Sequence, residues 1–434
     1  MKKLLITFTV AGLLAGCSND PVSSNNNNNH DIKFGISKSN ADRNVVMSTD
    51  PRISATSSSI SKFAINMYRQ IIKDDKNIFF SPYSITTAFG MADVGAKGNT
   101  DLQIREALQV TLEGDDYHGG LNGLDQSLKS FSDATDNLEL NVENSIWAQD
   151  NVTYFKVGYL DKLARNYGAG IYMLDFMNEP DPSRIIINDW VAQKTNQRIM
   201  DLIPPDAIKP STRLVLTNAI YFLADWEYKF DSSLTTSQTF YTTDGNSIQT
   251  PMMSFDDDKP IKMLYNYSGN VRLLEMPYKG NRIAMDLILP DSGTYKAFED
   301  SVTAEGLSRL ISGLDSTNLT SVKIPKFQFT TPSLSIKKAL QNLGMDDPFT
   351  SAANFSGIAD IDLLIANVFH KAFIKVDESG TEAAAATAII MVETSAQPNT
   401  KFFEANRPFM YLIRDKETNT ILFMGRVMNP AVSE

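Results

Sequence analysis

Few residues in this chain of 434 could do acid–base, nucleophilic or metal-binding chemistry: it has three histidines and one cysteine. His30 lies in a polar N-terminal stretch, His118 lies in a segment that predicts a turn (Asp115–Gly120), and His370 lies at the start of an apolar segment. The sequence contains no HExxH, GxSxG, Walker loop or CxxC motif to give them a catalytic context. A Ser–His–Asp hydrolase would have to use His370 without a nucleophile elbow. The sequence therefore argues against an enzyme, and it predicts no metal site and no cofactor.

The most unusual pattern lies in residues 377–400. Four alanines, Ala383–Ala386, precede the strand-forming run Ile389–Val392, and no proline occurs before Pro398. Every second position is small or apolar and uncharged: Thr381, Ala383, Ala385, Thr387, Ile389 and Met391. Such alternation lets one edge of a strand face a core, and the lack of proline leaves every N–H free for a sheet. The segment could be an Ala-rich surface linker, or a loop able to enter a sheet.

The flanking sequences resemble those of a known family. The chain reads FHKAFIKVDESGTEAAA over residues 369–385, FEANRPF over 403–409 and LFMGRVMNP over 422–430. These motifs resemble the hinge, reactive-centre loop and C-terminal strands of the serpins, and the loop is similar to that of inhibitory members. The segment FFSPYSI at 79–85 also resembles the family, and the resemblance extends over roughly residues 57–430.

The resemblance implies an α+β fold with three β-sheets, about nine helices and an exposed reactive-centre loop, all in one domain over residues 51–434. The residue patterns fit such a mixture. Residues 57–75 have apolar positions at helical spacing, and Ser81 before Pro82 predicts a helix start. The run Leu214–Phe222 is apolar on both parities, which predicts a strand covered on both faces.

The resemblance also assigns site residues. The hinge of the loop is Glu378, Gly380, Thr381, Glu382, Ala383, Ala384 and Ala385. A buried polar cluster under the parting strands of the main sheet comprises Ser81, Ser84, Asn218 and His370. Trp226 is expected beneath the place where the loop inserts. A simpler interpretation makes His370 a satisfied core histidine with no switching role.

Counting along the family's loop places the cleaved bond. Sixteen residues after Glu378 is Thr394, and counting back fourteen residues from Pro408 also gives Thr394. The reactive bond is therefore expected at Thr394–Ser395, with a shift of one or two residues left open. The residues before it, Met391, Val392 and Glu393, would then set specificity.

The implied function is suicide inhibition of a serine protease, or of a cysteine protease. A small β-branched residue before the bond fits an elastase-like target, while subtilisin-like and papain-like proteases are the next candidates. Glu393 as the residue recognised would point to a glutamyl-specific protease. The alternative is a non-inhibitory serpin that serves as a binding scaffold or is simply cut as a substrate.

The N-terminus predicts export. Lys2 and Lys3 precede the apolar run Leu4–Leu14, and Ala15-Gly16-Cys17 resembles the end of a bacterial lipoprotein signal. Residues 1–16 would be removed and Cys17 would carry lipid, which places the protein in the bacterial cell envelope, at the outer membrane or cell surface. A plain secretory signal with a chance cysteine is the alternative. Residues 17–50 are polar and low in complexity, which predicts a flexible tether.

The charge of the chain limits its partners. The formal net charge is −11, and Lys and Arg are not clustered. Nucleic acid and anionic surfaces are therefore disfavoured as partners, and membrane contact is expected only through the lipid. The protein is expected to be a monomer.

Overall fold

The computed structural model describes residues 34–72, 74–151, 154–255, 260–381 and 401–432. Several predicted features lie outside these ranges. They are Cys17, the hinge residues Glu382, Ala383, Ala384 and Ala385, the specificity residues Met391, Val392 and Glu393, and the bond Thr394–Ser395.

Nine α-helices occur in the described ranges. They are α1 (Pro51–Ile71), α2 (Pro82–Asp93), α3 (Asn99–Ala107), α4 (Asp115–Asp133), α5 (Val157–Tyr167), α6 (Pro180–Lys194), α7 (Tyr295–Ser301), α8 (Ala304–Ser312) and α9 (Lys337–Asn342). The start predicted at Ser81 is confirmed, because its side chain caps α2 by accepting a hydrogen bond from the Ser84 N–H. Asp50 caps α1 in the same way through Arg52 N–H.

The turn predicted at Asp115–Gly120 is wrong. Helix α4 begins at Asp115, and His118 is buried in its first turn. The two glycines that suggested a turn lie where α4 packs on α1. A Cβ atom on Gly120 would stand 2.1 Å from Thr56 Oγ1. The glycines therefore permit close packing of two helices, which local sequence alone does not distinguish from a turn.

The strands, in chain order, are β1 (Gly35–Ser37), β2 (Ile78–Phe80), β3 (Leu138–Gln149), β4 (Ile171–Leu174), β5 (Leu214–Asp225), β6 (Thr236–Tyr241), β7 (Ser247–Ser254), β8 (Ile261–Ser268), β9 (Val271–Pro277), β10 (Ile283–Pro290), β11 (Asp315–Pro325), β12 (Phe327–Thr330), β13 (Leu334–Ser335), β14 (Asn367–Val376), β15 (Gly380–Thr381), β16 (Lys401–Glu404), β17 (Phe409–Asp415) and β18 (Thr420–Val427). They fall into two hydrogen-bonded sheets within the described residues.

The main sheet has the order β1-β4-β3-β5-β15-β14-β12, with β13 also paired to β14. The second has the order β2-β18-β17-β10-β9-β8-β11-β7-β6, with β16 paired to β11. The expected third sheet is not separate from the second. It is formed by β6, β7, β11 and β16, and it joins the rest of the second sheet where β11 pairs with β8. The predicted α+β class is thus confirmed, with no regular alternation of strands and helices.

Strand β5 is covered on both faces, as its apolar run predicts. On one face Phe222 packs against Tyr278, which follows β9, and against Phe423 of β18, with ring centroids 5.0 and 5.8 Å apart. On the other face, Val215 and Ala219 belong to a core cluster that includes residues of α6. The main sheet is therefore a buried central layer, and changing its strand order would disturb packing on both sides.

Residues 34–50, part of the predicted tether, lie against the folded body. Strand β1 extends the main sheet by pairing antiparallel with β4. Phe34 packs edge-on against Trp147 with centroids 5.6 Å apart, and Arg43 forms an ion pair with Asp125 at 2.7 Å. The folded part of the chain therefore begins before the boundary that composition suggests at residue 50.

Among the described residues, no helix is both long and apolar enough to span a bilayer.

Candidate functional site

The central seam of the main sheet lies between β5 and β14. These strands pair directly and in parallel from Asn367–Ala372 to Val215–Ile220, with His370 opposite Asn218. Beyond Ile220 the direct pairing stops, and the strands separate toward their C-terminal ends. We call this junction the seam.

Strand β15 occupies the separated end of the seam. Gly380 pairs with Asp225 and Thr381 with Ala224 of β5, both antiparallel. On its other side Thr381 pairs antiparallel with Val376 of β14. Two residues of the predicted hinge therefore already form a short rung between the two central strands.

Gly380 is required by the closeness of this approach. A Cβ atom at this position would stand 2.0 Å from the Ala224 carbonyl oxygen and 2.8 Å from Asp225 Cα. Both obstacles are backbone atoms and cannot swing aside as a flexible side chain would. The rung can therefore form only with glycine at residue 380.

An aromatic pair lies beneath the rung. Trp226 stacks on Tyr278 with ring centroids 4.4 Å apart, and its indole N–H donates to the Asp377 carbonyl at 2.9 Å. The backbone N–H of Trp226 donates to the Ser379 carbonyl, and Tyr278 Oη lies 2.7 Å from Thr381 Oγ1. The structure thus places Trp226 below the hinge and adds Tyr278, which sequence reasoning missed.

Glu378 anchors the hinge through its charge. Its carboxylate accepts hydrogen bonds from Lys326 Nζ at 2.7 Å and from Thr235 Oγ1 at 2.8 Å. Burial alone would raise the pKa of Glu378, but these two donors outweigh it and hold the pKa below its usual value. The carboxylate therefore stays ionised and bound to its partners at neutral pH.

The predicted polar cluster lies across the paired part of the seam. His370 Nε2 accepts the Ser81 backbone N–H at 3.3 Å, so Nδ1 carries the proton and donates to Asn218 Oδ1. Asn218 Nδ2 then donates to Ser84 Oγ and to Asn144 Oδ1, each at 2.5 Å. The structure thus brings together Ser81, Ser84, Asn218 and His370, with Asn144 as a further member. No sequence signal marks Asn144, because its role depends on the β3–β5 register.

This network requires a neutral imidazole. His370 is fully buried, and burial lowers its pKa to about 3. Protonation of Nε2 would turn the acceptor of the Ser81 N–H into a donor and leave two donors facing each other. Since His370 is on β14 and Asn218 on β5, the network stabilises the closed seam.

His118 belongs to a separate buried cluster. Its Nδ1 lies 2.7 Å from Tyr167 Oη, and its Nε2 lies 3.7 Å from Asp93 Oδ2. Burial lowers the pKa of His118 to about 3 and raises that of Asp93 to about 8, although Arg105 lies 2.9 Å from Asp93. The cluster lies among α2, α3, α4 and α5, away from the seam.

His370 does not have a hydrolase arrangement. The group next to His370 Nε2 is the Ser81 backbone N–H rather than a hydroxyl, and the group at Nδ1 is an amide rather than a carboxylate. Within the ranges that the structure describes, no group of three or more His, Cys, Asp or Glu side chains could hold a metal ion.

Comparison with known sequences agrees with the family resemblance of the loop and its flanks. The family model "Serpin (serine protease inhibitor)" matches residues 58–430. A serpin-like protein of Methanosarcina acetivorans is 33% identical over 442 residues, covering 99% of this chain and 96% of the relative. Antithrombin-III of Mus musculus is 37% identical over 413 residues, covering 92% of this chain and 87% of the relative.

Solved structures agree. The thermophilic serpin tengpin in its native state matches with a TM-score of 0.78 at 28% identity, covering 90% of this chain and 97% of that one. Human glycosylated kallistatin matches with a TM-score of 0.77 at 31% identity, covering 88% and 99%. Fold and hinge define an α+β protein with a loop segment set between its central strands. The chain belongs to the serpin family, whose members are in general protease inhibitors rather than catalysts.

The His370 network predicts a pH-dependent effect of mutation. At pH 7.5, His370→Leu leaves the Ser81 N–H and the Asn218 side-chain oxygen without their hydrogen-bond partner. We expect the free energy of unfolding to fall by about 2–4 kcal/mol. The unfolded imidazole takes up a proton below about pH 6.5 while the folded one stays neutral down to about pH 3. The free energy of unfolding of the wild type therefore decreases as the pH is lowered through this window. The contribution from His370 is up to about 1.4 kcal/mol per pH unit.

Because the Leu variant lacks that contribution, its destabilisation should be about 2–3 kcal/mol smaller at pH 4.5 than at pH 7.5. Urea unfolding followed by tryptophan fluorescence measures both values, and His30→Ala controls for loss of a histidine outside the described ranges. Equal destabilisation at the two pH values would contradict the neutral buried network.

Gly380 provides a second prediction. In Gly380→Ala, the Cβ atom collides with the Ala224 carbonyl and the rung cannot form. We expect amide hydrogens of residues 377–381 to exchange at least tenfold faster than in the wild type, because each tenfold reflects about 1.4 kcal/mol of lost protection. Gly158→Ala is the matched control, since nothing lies within 4 Å of its added Cβ. Unchanged exchange at 377–381 would show that the rung does not depend on glycine.

Proposed function

We propose that this chain is an inhibitory serpin that traps a protease by inserting its cut loop into the seam. The observation that carries the proposal is the rung made by Gly380 and Thr381 between β5 and β14. The hinge lies at the separated end of the seam, where its first residues already pair in a defined register with β5 and β14. Insertion would then continue a strand that has already started, in exchange for the direct β5–β14 pairs.

The register defines how far the strand would extend. Gly380 lies opposite Asp225, so continuing one residue at a time along the 12-residue β5 sets Met391 opposite Leu214. On the other side, Thr381 opposite Val376 leads to Ile390 opposite Asn367, the first residue of β14. Both registers therefore end within one residue of each other, just before the proposed reactive bond.

The side-chain parity of the inserted strand fits the sheet. Thr381 is buried and its hydroxyl meets Tyr278 on the face toward the second sheet. Side chains two and four residues on, Ala383 and Ala385, would take the same face in a strand. Small side chains enter a packed layer without displacing its core, so the sequence of the hinge suits this position.

The energy of insertion is sufficient to act on a bound protease. The direct β5–β14 pairs are lost, while about ten residues gain neighbours on both sides. At roughly 0.5–1.5 kcal/mol net for each hydrogen bond, the gain is on the order of 10 kcal/mol before apolar burial is added. This energy is held back in the intact chain because both ends of the loop are anchored.

In the proposed reaction, the protease serine Oγ attacks the Thr394 carbonyl carbon. The Thr394–Ser395 amide breaks, the Ser395 amine leaves with a proton, and Thr394 remains esterified to the protease. Cleavage frees the strand to insert, and the attached protease is carried along the sheet before water can hydrolyse the ester. Thr394 favours an elastase-like protease, with subtilisin-like and papain-like enzymes as further targets. The same chemistry with Glu393 at the bond would suit a glutamyl-specific protease.

The N-terminal sequence supports a location for this activity. We propose that Cys17 carries lipid and that the chain up to residue 33 links the membrane to the body, which begins with β1. A lipid-anchored inhibitor of this kind would protect a bacterial envelope from proteases outside it.

The decisive test is covalent complex formation with pancreatic elastase. The wild type should give a band that survives boiling in detergent and should melt at least 20 °C higher once its loop has been cut. Thr381→Arg places a charge on the face toward Tyr278, so this variant should be cut at the same bond without forming the band. Thr111→Arg adds the same residue at an exposed site and should behave as the wild type.

A chain that is cut between residues 391 and 396 but gives no covalent band with elastase, subtilisin or papain would be a non-inhibitory serpin. In that case cutting should not raise the melting temperature, and Thr381→Arg should be cut at the same bond as the wild type, again with no covalent band.

A further inference from the structure

We propose that a surface beside the C-terminal end of the loop is a second docking site for the target protease. The surface, which we call the aromatic patch, consists of Tyr267 on β8, Arg272 on β9, and Lys401 and Phe402 on β16. The inference deepens the proposed function and rests on it, since the partner is the protease that cuts the loop. It concerns recognition before the bond is broken rather than the trapping step.

The aromatic patch has the composition of a binding surface. Tyr267 and Phe402 are 50% and 47% exposed, although both lie on strands. The Arg272 guanidinium carbon lies between them, 4.7 Å from the Tyr267 ring centroid and 5.7 Å from that of Phe402. Aromatic residues and arginine dominate the energetic centres of protein interfaces.

The patch is held rigid before any partner arrives. Arg272 forms an ion pair with Asp291, and the Tyr267 hydroxyl donates to the same carboxylate at 2.8 Å. On the other side, Lys401 Nζ lies 5.9 Å above the ring of Tyr265, which is itself buried. A pre-organised surface loses little side-chain entropy on binding, which favours affinity.

The position of the patch identifies its occupant. Lys401 begins β16, so the patch starts where the loop rejoins the body. From Ser395 to Lys401 the chain can reach at most about 20 Å when fully extended. A protease domain of roughly 220 residues has a radius of gyration of about 17 Å, so its outer surface extends farther still. A protease that holds the Thr394–Ser395 bond must therefore overhang the residues next to Lys401.

The chemistry of the patch defines the complementary surface. Lys401 is exposed and cationic, and the two flanking rings offer apolar area around a guanidinium whose charge Asp291 partly balances. The rim of the protease should therefore present an apolar side chain to Phe402 and a carboxylate to Lys401. Proteases that accept the same loop sequence but lack such a rim would be trapped more slowly.

The test measures binding without chemistry. Elastase with its catalytic serine changed to alanine cannot form the ester, so its Kd reports docking alone. We expect Phe402→Ala and Tyr267→Ala each to raise this Kd by about fivefold to twentyfold. With active elastase, the rate of complex formation should fall by the same factor while the number of inhibitor molecules consumed per trapped protease stays unchanged. Tyr154→Ala is the matched control, because Tyr154 is 89% exposed and lies outside these strands.

The outcomes separate the two proposals. If the Kd depends on Phe402 but no covalent band forms with active elastase, the docking site stands and the trapping function fails. If the band forms and both alanine variants match the wild type within twofold, the docking site is overturned while inhibition stands. Failure of the wild type to bind inactive elastase or inactive subtilisin, with the loop still cut by the active enzymes, would also overturn the docking site.

Discussion

The structure depends on how the seam between β5 and β14 is paired. Along one part the two strands pair directly, from Asn367–Ala372 to Val215–Ile220, and at the other end the two-residue rung lies between them. Each arrangement satisfies the backbone locally, since a buried strand edge must find hydrogen-bond partners. The boundary between them can move only if one set of pairs replaces the other.

Two groups of side chains stabilise the seam at its two ends. The His370–Asn218 pair joins β14 to β5 in the directly paired part, through a network that works only with a neutral imidazole. At the separated end, Glu378 holds the hinge through Lys326 and Thr235. Both groups are made of hydrogen bonds between polar partners in a largely apolar layer. Such bonds are strong when complete and costly when broken, so they favour the observed pairing of the seam.

Coverage of the main sheet has a related consequence. The apolar cluster on its outer face includes Trp190 of α6, Val215 on β5 and Phe369 on β14, so both strands of the seam contribute to one cluster. Parting the strands must therefore repack this cluster as well as break the pairs. At one edge of the main sheet, the N-terminal strand β1 pairs with β4. The main sheet is thus covered on its outer face and extended at one edge.

The sequence by itself determined the family, the double burial of β5, the capped start of α2 and the small alternating residues of the hinge. These are local or repeating patterns, and periodicity is visible along a single chain. Only the tertiary structure decided that Asp115–Gly120 is helical, that residues 34–50 belong to the body, and that Asn144, Tyr278 and Lys326 complete the site. Each of these depends on a partner far away in sequence, such as Thr56 beside Gly120 or Thr381 beside Tyr278. Contacts of that kind are set by how sheets and helices pack, and nothing in the nearby residues reports them.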